Sequence, residues 1–263
     1  MNKDDLKRLA AERRFIPGIY NYCDRWCERC PFTSRCMNFA MTDEQFDDPA
    51  DRDLMNETFW HKLTDLLQNT RELLEETAGQ LGIDLDTLDV EEVTEEERVR
   101  EKMVRNHACC RAAKSYSEMA EDWLDSLENT ELTDLDFQES TNSPDLNGLE
   151  TATDLDDAFE VIRWYQHLIY VKLMRAVHGR LEDTPEDLDE FPNDSDGSAK
   201  VALIALDRSM AAWGEVRNHF LLREESILTI LVHLDRLRRR VESIFPNARS
   251  FIRPGFDEVE LNS

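Results

Sequence analysis

The chain has 263 residues, of which 41% are hydrophobic and 33% charged, and a formal net charge of −26. That acidity makes nucleic acid and anionic membrane poor partners, since both attract basic surfaces. With only eight glycines and eight prolines, the composition predicts an all-α fold rather than a loop-rich β architecture.

The charge is uneven. Residues 1–40 carry eight Lys/Arg against five Asp/Glu and are mildly basic. From Ser115 to Ile162 there are fifteen acids and no Lys or Arg, and Glu182 to Asp196 adds eight more acids without a base. The opening MNKDDLKRLAAERRF lacks the apolar core of a secretory signal, and no stretch approaches the ~18 apolar residues of a membrane span. A cytoplasmic location follows as an expectation. In that reducing compartment, clustered cysteines are metal ligands more readily than disulfides.

In chain order, residues 3–14 form a short basic helix ended by Phe15-Ile16-Pro17-Gly18. A cysteine-rich segment follows to about Phe39, so residues 1–42 form an N-terminal metal-binding region. An acidic stretch from Asp43 to Asp53 links it to a helical bundle over residues 54–246. The first bundle helix spans about Asn56 to Leu81. Phe59, Leu63, Leu66, Leu67, Leu73 and Leu74 lie on its apolar side, and Gly82 stands at its end. A second starts at the capping-box pattern Thr94 to Glu97 and continues to Leu127. Its Cys110, Ala113, Ser117 and Ala120 are small enough for a neighbouring helix to approach closely. The acidic stretch 129–152 reads as a loop, mobile or used for docking. The third helix, Asp154 to Leu181, is apolar on more than one face and is expected to be central. A second acidic loop, 182–197, leads to helices over Ser198 to Leu222 and Glu224 to Phe245, and residues 247–263 form an irregular tail. The architecture expected is an antiparallel bundle of four or five helices with the four-cysteine segment appended.

The most informative feature is the run YCDRWCERCPFTSRC, which places Cys23, Cys27, Cys30 and Cys36 within fourteen residues. Four thiolates at such short range close on one centre at little loop-closure cost. They suit a structural zinc ion or a [4Fe–4S] cluster. Zinc modules usually pair two separated Cys-x2-Cys units, and only Cys27 and Cys30 form one here. The residues CERCPFTSRC, 27–36, resemble the Cys-x2-Cys-Pro-x4-Cys part of the [4Fe–4S] loop of helix-hairpin-helix DNA glycosylases. The likeness covers ten residues, and the upstream gap is three residues here against six in that family. It implies a cluster type rather than a repair activity, since the hairpin and the catalytic Lys/Asp arrangement are missing. The spacing Cys23-x3-Cys27-x2-Cys30 also matches the motif of radical SAM enzymes. That family leaves one iron open within a β/α barrel. Here Cys36 would fill the open site, and the strand pattern of a barrel is missing.

Other side chains have plainer readings beside functional ones. His107 and Cys110 could offer two ligands on one helix face, or be ordinary core residues. Glu160, His167 and His178 on the third helix, Glu215 and His219 on the fourth, and His233 on the fifth could converge on a bundle metal site. No Glu-x-x-His pair supports that, and hydrogen-bonded core histidines are expected instead. Lys200, Asp207 and Arg217 suit an ion-pair network or a ligand-anion site, and Arg236, Arg238, Arg239 and Arg240 suit partners among the acidic loops first and a nucleic-acid patch second.

Three functions compete on these grounds. The first is a cluster-bearing redox or sensing protein, with Trp26 and Phe32 shielding the centre and Arg25, Arg29 and Arg35 tuning it. The second is an interaction module pinned by structural zinc, whose acidic loops dock a basic protein partner. The third is an enzyme using the helix-borne His/Glu set.

Overall fold

The computed structural model describes residues 3–46, 48–84, 90–128, 147–182 and 194–258. Among these the protein is all-helical, with eight α-helices joined by short 3-10 turns and no strand. No helix among them is long and apolar enough to cross a membrane. Two compact units are present: Met1–Glu96 with Arg253–Ser263, and Glu97–Ile252.

In the first unit, α1 (Lys3–Ala10) is favoured by Asp4 and Asp5 in its first turn and Lys7 and Arg8 in its last, matching the helix dipole. It buries Leu6 and Leu9 and packs on α2 (Met37–Gln45) and α3 (Glu57–Leu81). The helix α2 lies within what the sequence reads as the cysteine segment and acidic linker. It is held by tertiary contacts: Arg8 reaches Glu44 at 2.9 Å, and the buried Gln45 amide donates to the Lys62 carbonyl at 2.8 Å. Helix α3 has the ends its sequence announces. The Asn56 side chain caps the Thr58 N–H, and Gly82, at φ 72°, closes the last turn. Its apolar stripe is narrower than expected. Phe59, Leu63, Leu66 and Leu73 are half-buried, while Leu67 and Leu74, one helical step of 100° further round, are 62% and 60% exposed.

The predicted helix from Thr94 to Leu127 is two helices, α4 (Val90–Asn106) and α5 (Ala108–Glu128). Thr94 lies inside α4 rather than at its start. The break at His107 has a local cause: the imidazole Nδ1 accepts the Cys109 N–H at 3.3 Å, doing the work of an N-cap.

The second unit packs α5, α6 (Asn147–Glu182), α7 (Asp194–His219) and α8 (Glu224–Ile244). Each contacting pair runs antiparallel. Trp123 donates to Ser226 at 3.0 Å and Arg223 to Ser126 at 2.8 Å, while His233 meets the Ala112 carbonyl at 2.8 Å, so α5 descends as α8 ascends. Ser117 meets His167 at 2.7 Å between α5 and α6, and Arg175 meets Asp194 at 2.6 Å between α6 and α7.

The central helix is α7, not the third predicted helix. Ser198, Ala199, Ala202, Ala205, Ser209 and Ala212 are buried along with Val201, Leu203, Leu206 and Trp213, so the first half of α7, to Leu206, is covered on every side. Small side chains admit neighbours close to the backbone. At Gly179 of α6, an added Cβ would stand 2.7 Å from the Ser195 hydroxyl. By contrast, α6 leaves Val171 exposed. Both acidic loops are shorter than expected: residues 147–152 begin α6 and residues 194–197 begin α7. Their remainders, 129–146 and 183–193, lie outside the described residues.

Candidate metal centre

The cysteine segment is built from three single 3-10 turns, Ile19–Asn21, Cys27–Arg29 and Thr33–Arg35. Its two ends are tied by a backbone bond from the Ile16 N–H to the Arg35 carbonyl at 3.0 Å. Between them, Arg25 takes the left-handed conformation at φ 61°. This is a strained state for a residue with a Cβ, and such states cluster at functional loops. Its carbonyl receives the Cys27 N–H at 3.0 Å.

These turns bring Cys23, Cys27, Cys30 and Cys36 to the wall of one cavity. Ile19, Trp26, Phe39 and Phe256 line it as well, with Asp24 and Arg25 as its charged members. All four cysteines are partly buried and none forms a disulfide. Burial raises the Cys27 thiol above its ordinary value, and the neighbouring Cys23 and Cys36 sulfurs add to the effect. Burial raises Cys30 too, opposed by the Phe32 N–H, which donates to its sulfur at 3.4 Å. These mutual influences are what four sulfurs around one space produce. As they stand, no group of three or more His, Cys, Asp or Glu among the described residues is placed to hold a metal ion.

Comparison with protein-family models, with curated proteins and with solved structures finds no match. The site is therefore read from its own residues.

The aromatic shield differs from the expected one. Trp26 lines the cavity and carries the Arg29 guanidinium 4.0 Å above its ring. Phe32 instead packs edge-to-face on Phe256, with centroids 5.1 Å apart. Phe256, together with Phe39, takes the place expected for Phe32, and the sequence reading missed it because it sits in the C-terminal tail. Gly255 lets that tail close in: at φ 76°, an added Cβ would stand 2.8 Å from Ile16 and 3.1 Å from Ile19. Of the three arginines expected to tune the centre, Arg25 faces the cavity, Arg29 is spent on Trp26, and Arg35 supplies the carbonyl that ties the segment.

The helix-borne candidates do not come together. His167 meets Ser117, His178 meets Glu97 at 2.9 Å, His219 meets Glu215 at 3.0 Å, and His233 meets the Ala112 carbonyl. Each is a separately partnered histidine. His107 caps α5, the Cys110 beside it is buried, and no metal-holding group of three or more His, Cys, Asp or Glu forms there among the described residues. Lys200 reaches the Phe251 carbonyl, Asp207 meets Arg249 at 2.6 Å, and Arg217 meets Glu224 at 2.8 Å. These three residues, expected to form one network, serve three different contacts.

Proposed function

We propose that the first unit binds a [4Fe–4S] cluster through Cys23, Cys27, Cys30 and Cys36, and that the protein uses it in electron transfer or oxidant sensing. The observation that carries this reading is the common cavity: all four thiols of the motif line it, with Trp26, Phe39 and Phe256 closing it off.

The donor set fits the group. Four cysteines satisfy all four irons of a cubane, so no iron is left open for substrate. A zinc ion would draw four sulfurs to within ~3.8 Å of one another, given Zn–S bonds of ~2.3 Å and tetrahedral geometry. A cubane binds each thiolate to a different iron and keeps the sulfurs further apart. The one cavity holds all four thiols, and the likeness of residues 27–36 to a [4Fe–4S] loop favours the larger centre. When bound, such a cluster accepts and returns one electron. The chain's own residues set how readily: Phe32 hydrogen-bonds the Cys30 sulfur, Arg25 brings positive charge, and the aromatic wall limits water, the three levers that tune such potentials.

The test is anaerobic purification followed by iron, sulfide and zinc analysis and visible absorption, with the C27S/C30S variant alongside. A brown protein with iron and sulfide in equal amounts, colourless in the variant, is the expected result. One zinc per chain and no colour would overturn the cluster in favour of a structural zinc module. An intact cluster with silent electrochemistry would remove the redox role.

A further inference from the structure

The outer face of the second unit, formed by α5 and α8, carries an open groove of about 610 Å³. Met119, Leu228 and Val232 form its apolar part, with Leu228 40% and Val232 47% exposed. Charge is segregated along it. At one end stand Glu224 and Glu225 of α8. At the other stands Arg236 of α8, with Arg240 one turn further along the helix.

Along α8 the exposed stripe reads Glu225, Leu228, Val232, Arg236, Arg240, spaced so that all fall on one side of a 3.6-residue helix. Other charges on the helix are neutralised within the chain: Arg238 and Arg239 meet Asp235 at 2.7 and 2.9 Å, and Glu242 meets Arg249 at 2.8 Å. Glu225, Arg236 and Arg240 make no ion pair with any described residue, although the chain holds 57 acids. Glu225 and Arg240, at opposite ends of a stripe that carries an apolar groove between them, are available to charges of an outside partner.

The stripe is self-complementary. It has a pseudo-centre at Val232, with acid seven residues before it and a base eight residues after. Turned by a two-fold axis through Val232, α8 of a second copy sets Glu225 against Arg240 twice, and Val232 against Val232, over ~24 Å of helix. This is the condition for an isologous interface, in which one patch meets itself. We infer that the α5/α8 face is a homodimer interface in which two copies of α8 pair antiparallel about Val232. A single helix pair lies at the small end of specific interfaces, so the dimer is concentration-dependent and weakened by salt.

Sedimentation equilibrium of the intact protein from about 1 to about 100 μM tests this. The mass is expected to rise from 30.7 kDa toward twice that value and to fall back at high salt. E225R and R240E alter exposed side chains, and each is expected to weaken association at least about tenfold through like-charge contacts at both ends. The double variant E225R/R240E restores both pairs with reversed sign and should regain the dimer. Far-ultraviolet circular dichroism of each variant confirms the helices are intact. A mass of one chain throughout would overturn the proposal. So would a dimer that neither single change weakens, or a double variant no stronger than the singles.

Discussion

At the scale of single residues, two positions are decided by how close their neighbours stand. Gly255 combines a left-handed backbone with an approach to Ile16 and Ile19 that leaves no room for a methyl group. Gly255→Ala should cost roughly 1–3 kcal/mol, the backbone strain supplying 1–2 of it and displaced isoleucines the rest. Because Phe256 lines the cysteine cavity, the same change should lower the iron content of purified protein, whereas Gly82→Ala, at a position that does not line the cavity, should leave it unaltered. Unchanged iron loading with lowered stability would separate the tail from the site. The second case is Cys109 and Cys110. Burial pushes their thiols up to about 11 and about 12, so at neutral pH they hold almost no thiolate, the form that reacts. In cluster-free protein, a thiol reagent should modify Cys23, Cys27, Cys30 and Cys36 within the native state and reach Cys109 and Cys110 only on unfolding. Early labelling of the pair would mean the α5 core opens locally.

At the scale of elements, helix ends written in local chemistry were legible. Asn56 before an apolar run and Gly82 after it fix α3 to within a residue of the expected limits, because a side-chain acceptor and a positive φ are properties of those residues alone. The α4/α5 break was not legible, since the three-and-four spacing continues straight through it and histidine is not a usual cap. Nor was the centrality of α7. Its burial is achieved with alanine, serine and glycine, which sequence patterns do not distinguish from a surface. The His107 cap carries a pH signature. It requires Nδ1 to accept the Cys109 N–H and therefore a neutral ring. Burial, assisted by Arg180 and Arg240, holds its pKa below the ordinary imidazole value. A histidine with a lowered folded pKa binds fewer protons folded than unfolded, so its contribution is complete above the ordinary value. It is lost as pH falls through that value toward the folded one. Denaturant midpoints of the wild type should fall between pH 7 and 5 by more than those of His107→Asn, which keeps a capping oxygen and cannot titrate. Equal slopes would place the acid sensitivity elsewhere. The Glu76 contact behaves in the same sense at lower pH. Lys3 and Lys7 hold its carboxyl below the usual range, so the tie between α1 and α3 is present above the ordinary glutamate value and weakens below it.

At the scale of the whole molecule, the two units are unequal in what holds them. The second buries a long series of large side chains, among them Trp213, Tyr116, Tyr165, Ile162, Ile169, Leu203 and Leu234. Trp213 donates to the Tyr116 hydroxyl at 3.1 Å and meets Trp123 edge-to-face. The first unit has a short core of Leu6, Leu9, Phe15, Ile16, Ile19, Tyr22 and Phe46, under an α3 helix that leaves Leu67, Leu74 and Leu81 exposed. Cores of that size are marginal without a metal or a cross-link, and four thiols in one cavity are where such a staple would act. That the four thiols would share one cavity was legible from cysteine spacing. Its wall was not, because Phe256 comes from the opposite end of the sequence and no local pattern ties the two. The asymmetry predicts how loss of the centre propagates. In the C27S/C30S variant, near-ultraviolet circular dichroism from the Trp123–Trp213 pair should melt at the wild-type temperature. The fluorescence of Trp26, which lines the cavity, should move to the solvent-exposed position and lose its cooperative transition. Heating the loaded wild type should then give two steps, with only the lower one shifted by adding a chelator under reducing conditions. A single transition that moves as a whole would mean that the staple stabilises the entire chain rather than the unit that contains it.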